Sequence, residues 1–409
     1  MIKIAVVSFP GNNCEVESIR AIKNAGMEPV YFKWNDSKEK LSDVSGYFIP
    51  GGFSYEDRGR AGMVSARDPV MQFIAEEAGK GKAVIGVCNG AQVLVESGLI
   101  PLDQGLKMSL AWNVVDGEAV GFLNKWVWIT PTCSRDRSAT SDWEGVMQLP
   151  IAHGEGRFTT KDKDVIEELK KNDQIAFSYC DKDGNVSDEA PICPNGAMFG
   201  TAGICNRSGN VVALMPHPER SPEGEKYFES MKRWLEKDIK GLKEINETKD
   251  KLAIEVKDRT SKNLEIFIDT IIVNNEERTV EQAARRVLPN LTLKQLKYLA
   301  LGDKDPQEVL SHLSLFNPNK EIAYIKRGDE MLKWNADSKK EEGTQSPLEG
   351  EVVLIVRDDP DTGAGYLGKG GESGICYVLG QIKEQDMCTN ALLEVFSNRH
   401  SSSLEMLIG

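Results

Sequence analysis

Residues 1–243 read as an α/β unit built on an open, mostly parallel sheet, and three observations carry that reading. Short apolar runs, Ile2–Ser8, Pro29–Trp34, Gly46–Ile49, Ala83–Val87 and Val211–Met215, lack the alternation of half-exposed strands and match strands buried on both faces. Amphipathic segments, Glu15–Ala25, Asp68–Gly79 and Gly224–Leu242, fall between or after them at helical spacing. Several of the runs end in turns rich in glycine, asparagine or proline, and in parallel α/β sheets the carboxyl ends of strands are where sites are built. Residues 244–409 have a different texture and read as an α+β extension.

A chain of 409 residues implies two or three domains. Its formal charge of −13 argues against nucleic acid, whose sequence-independent binding needs a basic face. The eight cysteines include no CxxC pair, and Cys180, Cys193 and Cys205 are too widely spaced for a zinc knuckle, so we expect reduced thiols and no metal site. The N-terminal residues lack a signal-peptide pattern and no run of 18 apolar residues occurs, so the sequence predicts a cytoplasmic protein with no membrane contact.

In order along the chain, Gly26 stops the first helix and gives a β-α-β opening. The turn Pro10–Asn13 is not GxGxxG and reads as a plain loop. After Gly46–Ile49 come Pro50-Gly51-Gly52, where glycines let backbone N–H groups point inward. Arg58 and Arg60 read as solvated charges. The run Ala83–Val87 breaks at Cys88-Asn89-Gly90 and resumes as a helix, which puts Cys88 on a sharp strand-to-helix turn suited to a nucleophile. The positive end of a helix there favours the thiolate. Residues 105–151 are irregular with interspersed strands, and His153, flanked by Gly154 after a strand end, is a candidate site-lining residue. A helix over 162–172 and a strand over 175–180 follow. In Pro216-His217-Pro218-Glu219, Pro218 disfavours helix at His217 and predicts an extended segment with His217 and Glu219 on one side.

In the extension, 244–258 is charge-rich, a tether or a helix running into a strand. Leu264–Asn275 reads as strand, Val280–Leu288, Leu293–Leu301 and Gln307–Phe316 as helices, and Glu351–Arg357 as strand. Residues 335–350 read as a polar linker, and the six glycines from Gly363 to Gly374 as a mobile loop without phosphate-binding spacing.

Three strand ends therefore offer Gly51-Gly52, Cys88-Asn89-Gly90-Ala91-Gln92 and His217-Pro218-Glu219. Attack on an amide needs a thiolate, a proton shuttle oriented by a third group, and donors for the oxyanion, and the set supplies each. Through Pro50-Gly-Gly, Cys88-x-Gly-x-Gln and His217-Pro-Glu, residues 2–242 resemble the class I glutamine amidotransferases. Through Pro50–Tyr55, Cys88–Gln92 and Ala152–Arg157 they are similar in particular to glutaminase subunits of phosphoribosylformylglycinamidine synthases in purine synthesis.

The resemblance implies a flavodoxin-like sheet and residue roles. Cys88 would attack the side-chain amide of glutamine, His217 would move the protons and Glu219 would hold the imidazole. Gly51 and Gly52 with Asn89 would form the oxyanion hole and glutamine site, with Gln92 helping to hold the substrate. The resemblance also implies that the ammonia goes to a synthetase subunit carrying ATP and Mg, with a small bridging subunit as a further partner and no cofactor on this chain. Ala91, Glu56 and Gly59 depart from the family pattern outside the triad. Two other readings are an α/β cysteine hydrolase or chaperone-type protein, which His-Pro-Glu disfavours, and an interaction module carrying a regulatory glutaminase domain, which the intact triad disfavours.

Overall fold

The computed structural model describes residues 1–102, 105–237, 254–383, 385–386 and 389–408. They fall into two units, Met1–Leu252 and Ala253–Gly409. The boundary near 243 and most of the 244–258 tether lie outside the described residues.

The first unit alternates strand and helix through β1 (Lys3–Ser8), α1 (Glu15–Asn24), β2 (Glu28–Lys33), β3 (Gly46–Ile49), α2 (Met63–Ala66), α3 (Pro69–Gly79), β4 (Ala83–Val87) and α4 (Asn89–Glu96). Strands β5 (Ser109–Trp112), β6 (Val114–Val115), β7 (Glu118–Ala119), β8 (Leu123–Pro131), β9 (Met147–His153) and β10 (Glu155–Thr159) follow. The unit closes with α5 (Lys163–Lys171), β11 (Ile175–Cys180), β12 (Thr201–Cys205), β13 (Val211–Leu214) and α6 (Glu225–Glu236).

Its main sheet runs β2-β1-β3-β4-β13-β12-β11-β8-β9. The half from β2 to β13 is parallel, as the unalternating apolar runs predict. The half from β12 to β9 is antiparallel and uses much of the irregular stretch after residue 105. Register fixes what happens at the carboxyl ends: Ile49 lies opposite Gly86, and Val87 opposite Leu214. The chain therefore leaves β3, β4 and β13 side by side. Helix α4 is buried along its whole length and packs on β4 and β13, while Phe228 of α6 sits 5.7 Å, centroid to centroid, from Phe48 of β3. Each such buried ring contributes about 1.5–3 kcal/mol.

The second unit contains β14 (Lys257–Asp258), β15 (Leu264–Thr270), α7 (Asn275–Arg285), β16 (Thr292–Ala300), α8 (Pro306–Leu310), β17 (Glu321–Arg327), β18 (Glu330–Asn335), β19 (Lys340–Gly343), β20 (Val352–Asp358), β21 (Glu372–Gly380), α9 (Asn390–Phe396) and β22 (Ser402–Ile408). They form one sheet ordered β14-β22-β20-β21-β16-β15-β17-β18-β19. Here the sequence reading needs correction. Leu293–Leu301 is not a helix but strand β16, paired on both sides. The expected helix over 307–316 is the single short α8, capped by Asp305, whose carboxylate accepts the Gln307 N–H at 2.8 Å. The 335–350 stretch is partly strand, since β19 pairs with β18. The glycine-rich segment is tied down by Asp361, which accepts the N–H groups of Gly363, Ala364 and Ser373.

Candidate active site

The turn at Cys88 is forced by its surroundings. Cys88 has φ 51° and ψ −108°, between the last residue of β4 and the first of α4. A side chain held at positive φ costs about 1–3 kcal/mol and persists only where neighbours over-determine it. Here the Cys88 N–H donates to the Leu214 carbonyl at 2.8 Å, and its carbonyl accepts the Gln92 N–H at 3.1 Å. Gly90 is required because a Cβ there would stand 2.0 Å from the Ile49 oxygen. The Cys88 thiol lies 3.7 Å from the Ala152 carbonyl and is buried.

The register of β13 against β4 brings His217 to this thiol. His217 is extended, as Pro218 demands, but Pro218–Arg220 forms a single 3-10 turn instead of continuing extended. That turn still places Glu219 against the ring, with Nδ1 and Oε1 2.6 Å apart and both side chains essentially sealed from solvent. Burial pushes the imidazole toward its neutral form, yet the charges of Glu219 and Cys88 and hydrogen bonds to Cys14 and Cys88 outweigh it and raise the pKa well above its ordinary value.

Gly51 packs against both groups, and Gly52 packs against the backbone of Asn12 and Asn13. A Cβ on Gly51 would stand 2.6 Å from His217 Cε1 and 3.3 Å from Cys88 Cβ, and Gly52 has φ 135°. The turn is paired with the loop at 11–13, where Phe53 N–H donates to Gly11 O at 3.0 Å and Asn13 N–H to Gly51 O at 3.3 Å. Neither of these bonds uses the Gly52 N–H. Asn89, first in α4, has an N–H with no acceptor inside its helix.

The Asn89 side chain is fully buried and ties two loops to α4. Its Oδ1 accepts Ser54 N–H at 3.1 Å and Asn12 Nδ2 at 3.3 Å, and its Nδ2 donates to Asp57 at 3.2 Å and Gln92 at 3.0 Å. Gln92 donates to Glu155 O at 2.6 Å. Both ends of its amide are thus engaged within the protein, which makes it a brace between α4 and β10. Burial raises the Asp57 carboxyl to about 7.

His153, at the end of β9, is fully buried with both ring nitrogens lacking a partner among the described residues. Burial and the neighbouring His217 depress its pKa to about 3, so it is neutral at physiological pH. Arg60 is not a solvated charge: it pairs with Glu96 of α4 at 2.5 and 2.9 Å, both side chains being nearly buried. Pro10–Asn13 is likewise not a plain loop but one wall of the site.

The sequence reading missed Cys14. It occupies the N-cap position of α1, as Cys88 does of α4, but without a side-chain capping bond and at φ −108°. Its Sγ stands 3.1 Å from where a Cβ on Gly51 would be, and it accepts a hydrogen bond from Arg220 Nη2 at 3.1 Å. The recurrence of a cysteine at a strand-to-helix turn was the available signal.

Residues 1–243 match the CobB/CobQ-like glutamine amidotransferase domain family. The chain belongs to that family. Among its relatives is the phosphoribosylformylglycinamidine synthase subunit PurQ of Methanothrix thermoacetophila, 41% identical over 257 residues, covering 57% of this chain and 98% of the relative. The PurQ of Pyrococcus furiosus is 38% identical over 245 residues, covering 58% and 99%. Among solved structures, one of PurLQS from Thermotoga maritima aligns with 33% identity and a TM-score of 0.46, covering 57% of this chain and 99% of the matched one. Residues 244–409 of this amidotransferase lie outside the family match. Among its described residues, no helix is long and apolar enough to cross a membrane.

Proposed function

We propose that this chain is the glutaminase component of a phosphoribosylformylglycinamidine synthase, hydrolysing glutamine to glutamate and ammonia. The observation that carries it is the convergence of Cys88, His217 and Glu219 at adjacent strand ends, and 41% identity across nearly the whole length of a PurQ subunit supports the pathway.

Cys88 Sγ attacks the side-chain amide carbon, and the charge that develops on the carbonyl oxygen is taken by the N–H groups of Gly52 and Asn89. Loss of one such donor costs on the order of 100- to 1000-fold. His217, held by Glu219, delivers a proton to the departing ammonia and leaves a glutamyl thioester. Water then loses a proton to His217 and attacks the thioester, which releases glutamate and restores the thiol. Gln92 acts through the wall it braces. The mechanism requires no cofactor on this chain, and ATP and Mg belong to the synthetase partner that consumes the ammonia, with a small bridging subunit completing the assembly.

Replacing Cys88 by Ala tests the reading. Glutamate release by the full chain with its synthetase partner should vanish while the protein stays folded, and persistence of ammonia release would refute the nucleophile. Capturing the synthetase with the full chain and with a chain ending at residue 243 shows whether residues 244–409 recruit it.

A further inference from the structure

The glutaminase mechanism leaves one buried thiol beside the triad unused. Cys14 Sγ, a ring nitrogen of His217 and a carboxylate oxygen of Glu219 all lie within 4.8 Å of one another. A thiolate, an imidazole and a carboxylate are the donor types that Zn²⁺ prefers, and three protein ligands with a fourth position open is a common arrangement for that ion. Metal–ligand bonds of about 2.0–2.3 Å place tetrahedral donors roughly 3.5 Å apart, so closing on an ion asks for movements of about 1 Å.

A second observation points the same way. Glu219 Oε2 is buried and has no hydrogen-bond partner among the described residues, although its twin oxygen holds His217. A buried carboxylate oxygen with no donor is costly, and a cation beside it would satisfy it. The Arg220 guanidinium now occupies the Cys14 sulfur, but it is one-third exposed and already 3.8 Å from Glu17, so it can turn outward. A cavity of about 590 Å³, lined by Glu17, Arg20, Glu219 and Arg220 among others, lies beside this cluster.

We propose that Cys14, His217 and Glu219 form a binding site for a thiophilic divalent cation such as Zn²⁺, and that its occupancy switches the glutaminase off. The ion takes a ring nitrogen of His217 that must either shuttle the proton or accept orientation from Glu219, and binding displaces to solvent both the Cys14 thiol proton and the proton carried on that nitrogen. The switch rests on the glutaminase reading; the binding of the ion does not.

Cobalt(II) titration of the full chain, followed by zinc competition, tests the site without any activity measurement. The chain should show a thiolate-to-cobalt charge-transfer band that zinc displaces. Cys88→Ala should keep the band, whereas Cys14→Ser should lose it and bind zinc more weakly. Loss of an outer-shell partner alone costs roughly 10- to 100-fold in metal affinity, so loss of a ligand should cost at least that. In parallel, zinc should inhibit glutamine hydrolysis reversibly on chelation, and Cys14→Ser, measured against its own metal-free rate, should need at least about tenfold more zinc. If Cys14→Ser does not fold, His217→Gln should abolish the band in its place. A chain without the band, or a Cys14→Ser chain that retains it, overturns the site. If the band appears and depends on Cys14 but zinc leaves the rate unchanged, the switch is refuted. A chain that forms the site but never hydrolyses glutamine refutes the functional reading instead.

Discussion

Gly51→Ala addresses the clearance around the His217 ring. A Cβ at position 51 would stand 2.6 Å from His217 Cε1, 3.1 Å from Cys14 Sγ and 3.3 Å from Cys88 Cβ. Carbon atoms in contact sit about 3.5–4.0 Å apart, so the imidazole must retreat by about 1 Å. It cannot do so freely, because Glu219 holds Nδ1 at 2.6 Å and the side chain is enclosed. A misplacement of about 1 Å typically costs on the order of 100-fold in rate, while an added methyl in a packed interior costs about 1–3 kcal/mol of stability. We therefore expect Gly51→Ala to stay folded and lose about 100-fold in kcat, measured by coupling glutamate release to glutamate dehydrogenase at saturating glutamine. Gly79→Ala is the control, since a Cβ there meets nothing within 4 Å. A Gly51→Ala protein whose kcat stays within about threefold of the parent would show that His217 is not confined as described and would refute the reasoning.

Three further outcomes are expected. Glu219→Gln removes the charge that orients His217, and because the equivalent Asp→Asn change in a serine triad costs about 10⁴-fold, the glutaminase rate should fall toward that level with the melting temperature nearly unchanged. A melting temperature that falls with the rate would assign Glu219 a structural role. Arg60→Met removes the nearer of two guanidiniums facing Glu96 and leaves Arg67 at 3.9 Å, so the loss read by urea unfolding should fall below the roughly 3–5 kcal/mol of a buried pair that loses its partner outright, and adding Glu96→Gln should recover part of it. Asp57→Asn reads out a titration: burial raises the folded carboxyl from 3.8 to about 7, so the folded state holds this proton more tightly and stability is lost as pH rises from about 4 to 7. The variant should match the parent near pH 4 and melt higher at pH 8, and equal melting temperatures at both would refute the shift.

The parallel half of the first sheet and the meeting of Cys88, His217 and Glu219 at adjacent strand ends were legible because each depends on local grammar. Apolar runs ending at Gly51, Cys88 and His217 announce strand ends, and Pro218 fixes the backbone before the carboxylate. Asn12 and Asp57 were illegible because their roles come from side chains meeting across loops, as when Asn89 gathers Asn12, Ser54 and Asp57. Strand β16 misled for a different reason. Its Leu293, Leu296 and Leu299 recur at helical spacing among lysine, glutamine and alanine, and only pairing with β15 and β21 overrides that preference. The Lys340–Gly343 strand was hidden by polarity, since it runs along the edge of the sheet, where charged side chains are tolerated.

The place of β13 has a consequence for the chain while it is being made. This strand brings the His217 imidazole, yet it enters beside β4, and the Arg220 contact to Cys14 closes across 206 positions of sequence. On a ribosome the thiol of Cys88 emerges long before its base, with neither the Leu214 carbonyl that fixes its turn nor His217 to move a proton. The nascent polypeptide therefore cannot consume glutamine. His217 can meet Cys88 only once the last strand of this sheet in chain order takes its place in the middle, between β4 and β12.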